Sequence, residues 1–427
     1  MWPLDVLPAV SARMVASKIG LRASTCRVQY VYKLCLWAPI SRTAVWRVFS
    51  VVFEERDLQP KFISSEVYRA TGYTGNHPLA IQRIGAVLTL CEQLGWLDRS
   101  GPDAYVQSPI ASLEEILKFH DANYVAALRA AEARGRVTQE ERESYRLGTL
   151  ENPVFKGLFE RAATSVGGSM LAARLALKAG VVYHPSGGTH HGMKDRAGGF
   201  CFFNDPVFAI LTFLEEGIER VLYVDLDAHH GDGVEAAFAG DERVFLISVH
   251  EGNRWPFTGG LDDRAAGNAR NLPVPREMND SEMDFLMTEA VLPLARRFEP
   301  QALVITCGAD ALFGDPLSSL ALSNSCLWDA VTALTKIAPA SVVLGGGGYN
   351  PWTVARCWTG LWGRIAGKVM PDVLPPETVT YLKSLECDLV DDEEDMQPFW
   401  TQTLVDPRND GPVRESFRQI VSAVHRP

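Results

Sequence analysis

Asp225, Asp227 and His229 stand at alternate positions in the segment YVDLDAHHGD (223–232). On an extended chain alternate side chains share a face, so these three can point the same way. Carboxylate and imidazole donors together suit zinc or another divalent transition metal. A polar strand end laced with ion pairs is the competing reading of a lone D-x-H. Asp310, presented from a neighbouring predicted strand, shifts the balance to metal. Three protein ligands leave room for water and substrate, as a catalytic site requires.

A second cluster, GGTHHG (187–192), brings His190 and His191 into a glycine-flanked loop. Histidine is the side chain suited to moving protons near neutral pH. A buried carboxylate on the far ring nitrogen fixes the tautomer and stabilises the imidazolium, and Asp225 and Asp232 are available for that task. A third cluster, GGGGYN (345–350), has neither the Lys-Ser/Thr ending of a phosphate loop nor the order of a dinucleotide fingerprint. Its glycines let the backbone pass close to a pocket and turn Tyr349 inward, where a hydroxyl can donate to an oxyanion. An ordinary core tyrosine is the plainer reading.

These clusters need a scaffold that brings them together. Short apolar runs at 181–183, 221–226, 244–249, 303–307 and 342–344 read as buried strands, with helical stretches at 205–216 and 281–298 between them. Helical spacing also marks 78–96, 112–119 and 122–133, while 134–144 reads as solvated surface. The expected fold is α/β, an open and mainly parallel sheet sandwiched by helices. Each polar cluster follows the carboxyl end of a predicted strand, the edge where open α/β sheets bind ligands.

The whole chain of 427 residues is 47% hydrophobic and 22% charged, enough for a large core. A net charge of -11 argues against a broad nucleic-acid surface. Eight cysteines without a CxxC pair fit free thiols in a reducing, cytoplasmic setting. No apolar run is long enough to span a bilayer. Up to Phe53 the only acid is Asp5, against seven Arg and Lys residues between Arg13 and Arg47. Residues 1–58 therefore read as a basic extension, with several origins open: a poorly ordered tail, sequence upstream of the true start, a structured accessory segment, or an organelle leader. The last would place the protein in an organelle. Residues 59–427 are expected to form one catalytic domain, and the acidic run 391–395 a solvated loop.

The segments GGTHHGMKDRAGGFCFFND (187–205), YVDLDAHHGDGVEAAF (223–238), GADALFGDPLSSL (308–320) and GGGGYNPWTVARCW (345–358) resemble the histone deacetylase family of the arginase/deacetylase superfamily. They are most similar to its bacterial acetoin-utilisation branch. Weaker similarity covers 76–84, 119–128 and 147–155. The resemblance implies a metal on Asp227, His229 and Asp310, zinc with ferrous iron as the alternative. It implies His191 with Asp232 as general base and then acid, His190 with Asp225 as electrostatic support, and Tyr349 as polariser of the acetyl carbonyl. Gly199, Phe200 and Trp255 would line the tunnel for a lysine stem, Trp255 standing where phenylalanine is usual. Glu151 replaces an aspartate that holds the substrate backbone in many members. Potassium would sit on Asp225, Asp227, His229, Ser248 and Val249.

The implied reaction is hydrolysis of an acetyl amide, with acetylated protein or a small acetylated amine as partner. Related arginases need a second metal ligand two residues after His229, where this chain has Gly231. Leu317 stands where polyamine-selective members can carry an acidic gatekeeper, which favours acetyl-lysine over acetylpolyamine. An inactive acetyl-lysine-binding module is the alternative from another class. Oligomeric state is open.

Overall fold

Eight strands carry the apolar runs: β1 (Lys61–Ser64), β2 (Tyr105–Gln107), β3 (Val181–His184), β4 (Val221–Asp225), β5 (Val244–Glu251), β6 (Ala269–Val274), β7 (Ala302–Thr306) and β8 (Ser341–Leu344). In the computed structural model, which describes residues 59–98, 105–390 and 396–426, they form one sheet in the order β2-β1-β3-β8-β7-β4-β5-β6. Every neighbouring pair is parallel. The basic segment 1–58 and the acidic run 391–395 lie outside the described residues.

Strand alternation feeds two cores. Val182, Val221, Tyr223, Val304 and Val342 pack on one face against α3 (Leu158–Ala179) and α4 (Asp205–Glu215). Tyr183, Leu222, Val224, Ile305 and Val343 pack on the other, against α1 (Ile84–Gln93), α6 (Asn324–Leu334) and α7 (Pro351–Ile365). Two further named helices are α2 (Ala122–Arg134) and α5 (Asp232–Phe238), the latter starting at the end of the metal-type motif. Burial on both faces explains why the central strands read as continuous apolar runs.

The five expected strands are present within a residue or two. The edge strands β2 and β6, and the short β1, were not legible. The expected helix 78–96 splits into a short 3-10 turn at Pro78–Ala80 and α1. The solvated stretch 134–144 contains an exposed helix, Gln139–Tyr145, with a capping box on Thr138 and Glu141.

Register decides where the chemistry falls. His184, Leu344, Thr306, Asp225, Ser248 and Asn271 stand opposite one another across six adjacent strands. Each of the four polar clusters begins within a few residues of this row. From β4 the chain winds outward to β5 and β6, and from β7 it winds the opposite way to β8, so the winding reverses between β4 and β7 and opens a crevice at the carboxyl edge.

Candidate active site

The carboxylates at the end of β4 form a relay, each held by the backbone N–H two residues further on. Asp227 N–H donates to Asp225 Oδ1 at 3.1 Å, and His229 N–H to Asp227 Oδ1 at 2.9 Å. Asp310 arrives from a 3-10 turn after β7 and accepts from Ala228 N–H at 3.1 Å. The donor atoms of Asp227, His229 and Asp310 lie within 4.8 Å of one another, and all three residues are buried.

Glycines make this closeness physical. A Cβ at Gly308 would collide with both Asp227 and Asp310, and one at Gly347 would strike Asp310. Gly347 N–H instead donates to Asp227 Oδ2 at 2.5 Å. Burial disfavours a charged His229, but hydrogen bonds to Asp227 and Asp310 outweigh it and lift the ring to about 10. Burial beside Asp227 pushes Asp310 up to about 6. Two buried carboxylates thus demand positive charge between them, and a divalent cation answers that demand with the ring neutral, as ligation requires. Two oxygen donors and one nitrogen suit zinc or ferrous iron. The residues fit a single ion. A side chain at Gly231 would strike Asp225 Oδ2, so the arginase type of second-metal ligand has no room.

The loop after β3 holds the two histidines against their expected partners. His190 Nδ1 is 2.7 Å from Asp225 Oδ2, and His191 Nδ1 is 2.8 Å from Asp232 Oδ1. Burial opposes charge on both rings. At His190 the carboxylates of Asp225 and Asp227 outweigh it and raise the pKa to about 9. At His191 burial and the charge of His190 lower it to about 4. The two adjacent histidines are thus biased in opposite directions, His190 toward the cation and His191 toward the neutral ring.

Tyr349 follows Gly346 and Gly348, which lie at φ 148° and 136° and let the loop turn inward. Its ring centroid is 5.6 Å from Phe200 and 6.5 Å from His229. Burial and Asp310 keep its phenol well above the ordinary tyrosine range, hence a neutral donor. Together with Glu151, Gly199, Phe200, Trp255 and Leu317, it lines a cavity of about 1390 Å³ that reaches His191 and His229. A smaller cavity of about 120 Å³ meets the first at His191, Gly199, Phe200 and Tyr349. Ser248 pairs with Asp225 in neighbouring strands, and its hydroxyl lies 2.8 Å from His250 Nδ1. Val249 is buried in the core beside it.

Several supports had no local signature. Asp205 accepts from Gly188 N–H, Thr189 N–H, Thr189 Oγ1 and Ser169 Oγ, which pins the histidine loop. Asn204 Nδ2 donates to the carbonyls of His190 and Gly192, and its own N–H donates to His120 Nε2. Asp315, raised to about 7 by burial and by Asp310, accepts from Tyr349 N–H at 2.7 Å. Arg83 reaches from the start of α1 to the Gly346 carbonyl and borders the smaller cavity. Asp205, Asn204 and Asp315 lie within the strongly family-like segments 187–205 and 308–320, and Arg83 and His120 within the weaker ones 76–84 and 119–128, but each acts on a partner that spacing alone does not disclose.

The histone deacetylase domain family matches residues 77–365. Acetoin utilization protein AcuC of Bacillus subtilis (strain 168) is 33% identical over 334 residues, 74% of this chain and 85% of that protein. Histone deacetylase 8 of Xenopus tropicalis is 35% identical over 303 residues, 69% of this chain and 80% of that protein. Among solved structures, an HDAC homolog from Aquifex aeolicus superposes with a TM-score of 0.81 at 34% identity, over 86% of this chain and 99% of that one. An HDAC homolog complexed with SAHA gives the same figures.

Proposed function

The chain belongs to the histone deacetylase family, and we propose that it hydrolyses the acetyl amide of acetyl-lysine in proteins with zinc as its metal. One observation carries this reading. His229 of a buried three-ligand cluster, His191 held by a carboxylate and the ring of Tyr349 together line one cavity.

When bound on Asp227, His229 and Asp310, a divalent ion acidifies water and polarises a carbonyl. His191, neutral and oriented by Asp232, takes the proton from the attacking water at Nε2 and returns it to the departing amine. Tyr349 donates its hydroxyl to the oxygen that becomes negative as the carbonyl turns tetrahedral. His190, held as a cation by Asp225, stabilises the developing negative charge and keeps His191 unprotonated in the resting state. The cavity wall of Phe200, Trp255 and Leu317 suits a methylene stem, and the smaller cavity gives a small acyl group room. A potassium ion on Asp225, Asp227, His229, Ser248 and Val249 belongs to the same reading, supported by the pairing of Asp225 with Ser248.

Acetate release from acetyl-lysine peptides, acetylpolyamines and longer acyl-lysines, with metal content measured on the same sample, tests the proposal. Turnover strongest on acetyl-lysine peptides is the expected result. Preference for acetylpolyamines would move the substrate assignment to small amines, and binding of peptides without cleavage by metal-loaded protein would make the chain a recognition module.

A further inference from the structure

Glu151 and Asn152 are neighbours in sequence, and so are Gly199 and Phe200. The two pairs meet in parallel. Gly199 N–H donates to Glu151 Oε1 at 2.7 Å, and Phe200 N–H donates to Asn152 Oδ1 at 3.1 Å. The backbone they hold is unusual: Gly199 and Phe200 lie at φ 52° and 65°, both left-handed. A bulky residue adopts that region rarely and keeps it only where its surroundings impose it.

What the turn achieves is local. It brings the Phe200 ring to 5.6 Å from Tyr349 and to 4.9 Å from His77. It lays Gly199 so close to His191 and Trp255 that a Cβ would strike both rings. The wall therefore touches the proposed base and the proposed oxyanion donor at once. The other side of the contact is anchored too. Asn152 is fully buried, its N–H donates to Thr149 Oγ1 at 3.0 Å, and its carbonyl accepts from Gly148 N–H at 2.7 Å. The Glu151 carbonyl lies 3.3 Å from His77 Nε2.

We propose that Glu151 and Asn152 are positioning residues that clamp the Gly199–Phe200 turn, and through it set His191 and Tyr349 around the substrate stem. The proposal rests on the deacylase reading above. It differs from what the family resemblance implies for Glu151, a direct contact with the substrate backbone. It also gives the longer side chain a reason: Glu151 spans the distance to Gly199 N–H with a methylene that an aspartate lacks.

The discriminating substrates are an acetyl-lysine peptide and N-acetylbutylamine, which has the same four-carbon stem and no flanking peptide amides. E151D and E151L are expected to lose roughly ten- to a hundredfold in kcat/KM on both substrates, chiefly in kcat, because the reacting groups are misplaced. E151Q keeps an acceptor at the same reach and should stay close to wild type on both. Unchanged melting temperature and zinc content would localise the loss to the wall. A loss confined to the peptide, or E151D and E151L equal to wild type on both substrates, overturns the clamp. If wild type cleaves neither substrate, the deacylase reading fails instead. The clamp is then read from calorimetric binding of an aliphatic hydroxamate to zinc-loaded protein. Weaker binding to E151D and E151L than to wild type and E151Q supports it, and equal binding overturns it.

Discussion

The inner and outer ends of the large cavity are built by opposite rules. At the inner end Asp225, Asp227 and Asp310 are at most 1% exposed, each carboxylate accepts a backbone N–H, and neighbouring glycines leave no space for a methyl group. At the mouth Leu150 is 97% exposed and Phe257 74%, and both lie on loops. The inner end follows directly from strand ends locked in register. The mouth depends on loops that carry exposed apolar side chains. Chemistry is therefore expected to be brittle at the inner end, and selectivity adjustable at the mouth.

The largest effect should come from breaking the inner end. Asp310→Asn removes one of two buried negative charges that call for a cation. The metal supplies several kcal/mol of transition-state stabilisation, so acetate release should fall by roughly three decades or more, with metal content falling as well. Retained metal and activity would make the cluster an ion-pair network. Tyr349→Phe should cost about a hundred- to a thousandfold in kcat, as loss of one oxyanion donor does, with metal content unchanged. If the metal is lost as well, Tyr349 belongs to the metal scaffold.

The same division governs what the amino-acid sequence discloses. Asp225, Asp227 and His229 announce themselves because a polar alternation ends an apolar strand, and strand geometry alone says they share a face. The strands β3, β4, β5, β7 and β8 are legible because burial on both faces demands apolar runs. β6 is not: it lies at the sheet edge, carries Arg270, Asn271 and Pro273, and presents no run. β1 and β2 have only four and three residues. Arg83, His120 and Asp315 gain their roles from partners brought close by the fold, so no spacing predicts them. The Glu151 to Gly199 contact is of this kind, since a carboxylate at a loop tip looks the same whether it holds substrate or wall.

Acidification should expose the inner end before the mouth. His120 Nε2 accepts Asn204 N–H at 3.1 Å, so the ring must be neutral, and burial holds its pKa down to about 4 against an ordinary 6.5. His250, buried and beside His230, is held down to about 3. In both cases the unfolded chain binds the proton more readily. The stability they contribute is complete above about 6.5 and is lost as pH falls toward 4 for His120 and toward 3 for His250, on the order of 1 kcal/mol per pH unit for each group. Thermal denaturation from pH 7 to pH 5 should show the decline, and His120→Gln should make it shallower. An unchanged slope in that variant would mean His120 does not carry the proton.

The smallest expected effect lies at the mouth, and there a change of selectivity should leave the chemistry alone. Leu317 has a fixed backbone: its N–H donates to Asp315 Oδ1 at 2.9 Å, and its carbonyl accepts from Arg254 Nη1 at 2.8 Å. Arg254 is itself held by both oxygens of Glu251. Leu317→Glu can therefore place a carboxylate at the cavity without moving the loop. A half-exposed ion pair with a cationic substrate is worth about 0.5–1 kcal/mol, so kcat/KM for an acetylpolyamine should rise roughly two- to fivefold against an acetyl-lysine peptide. The change should appear in KM and shrink at high salt, because screened attraction acts on binding. A change in kcat instead would show that the 317–319 segment transmits to Tyr349 through Asp315, which accepts the N–H of both Leu317 and Tyr349. The two ends of the cavity would then be mechanically coupled, and selectivity could not be altered without cost to rate.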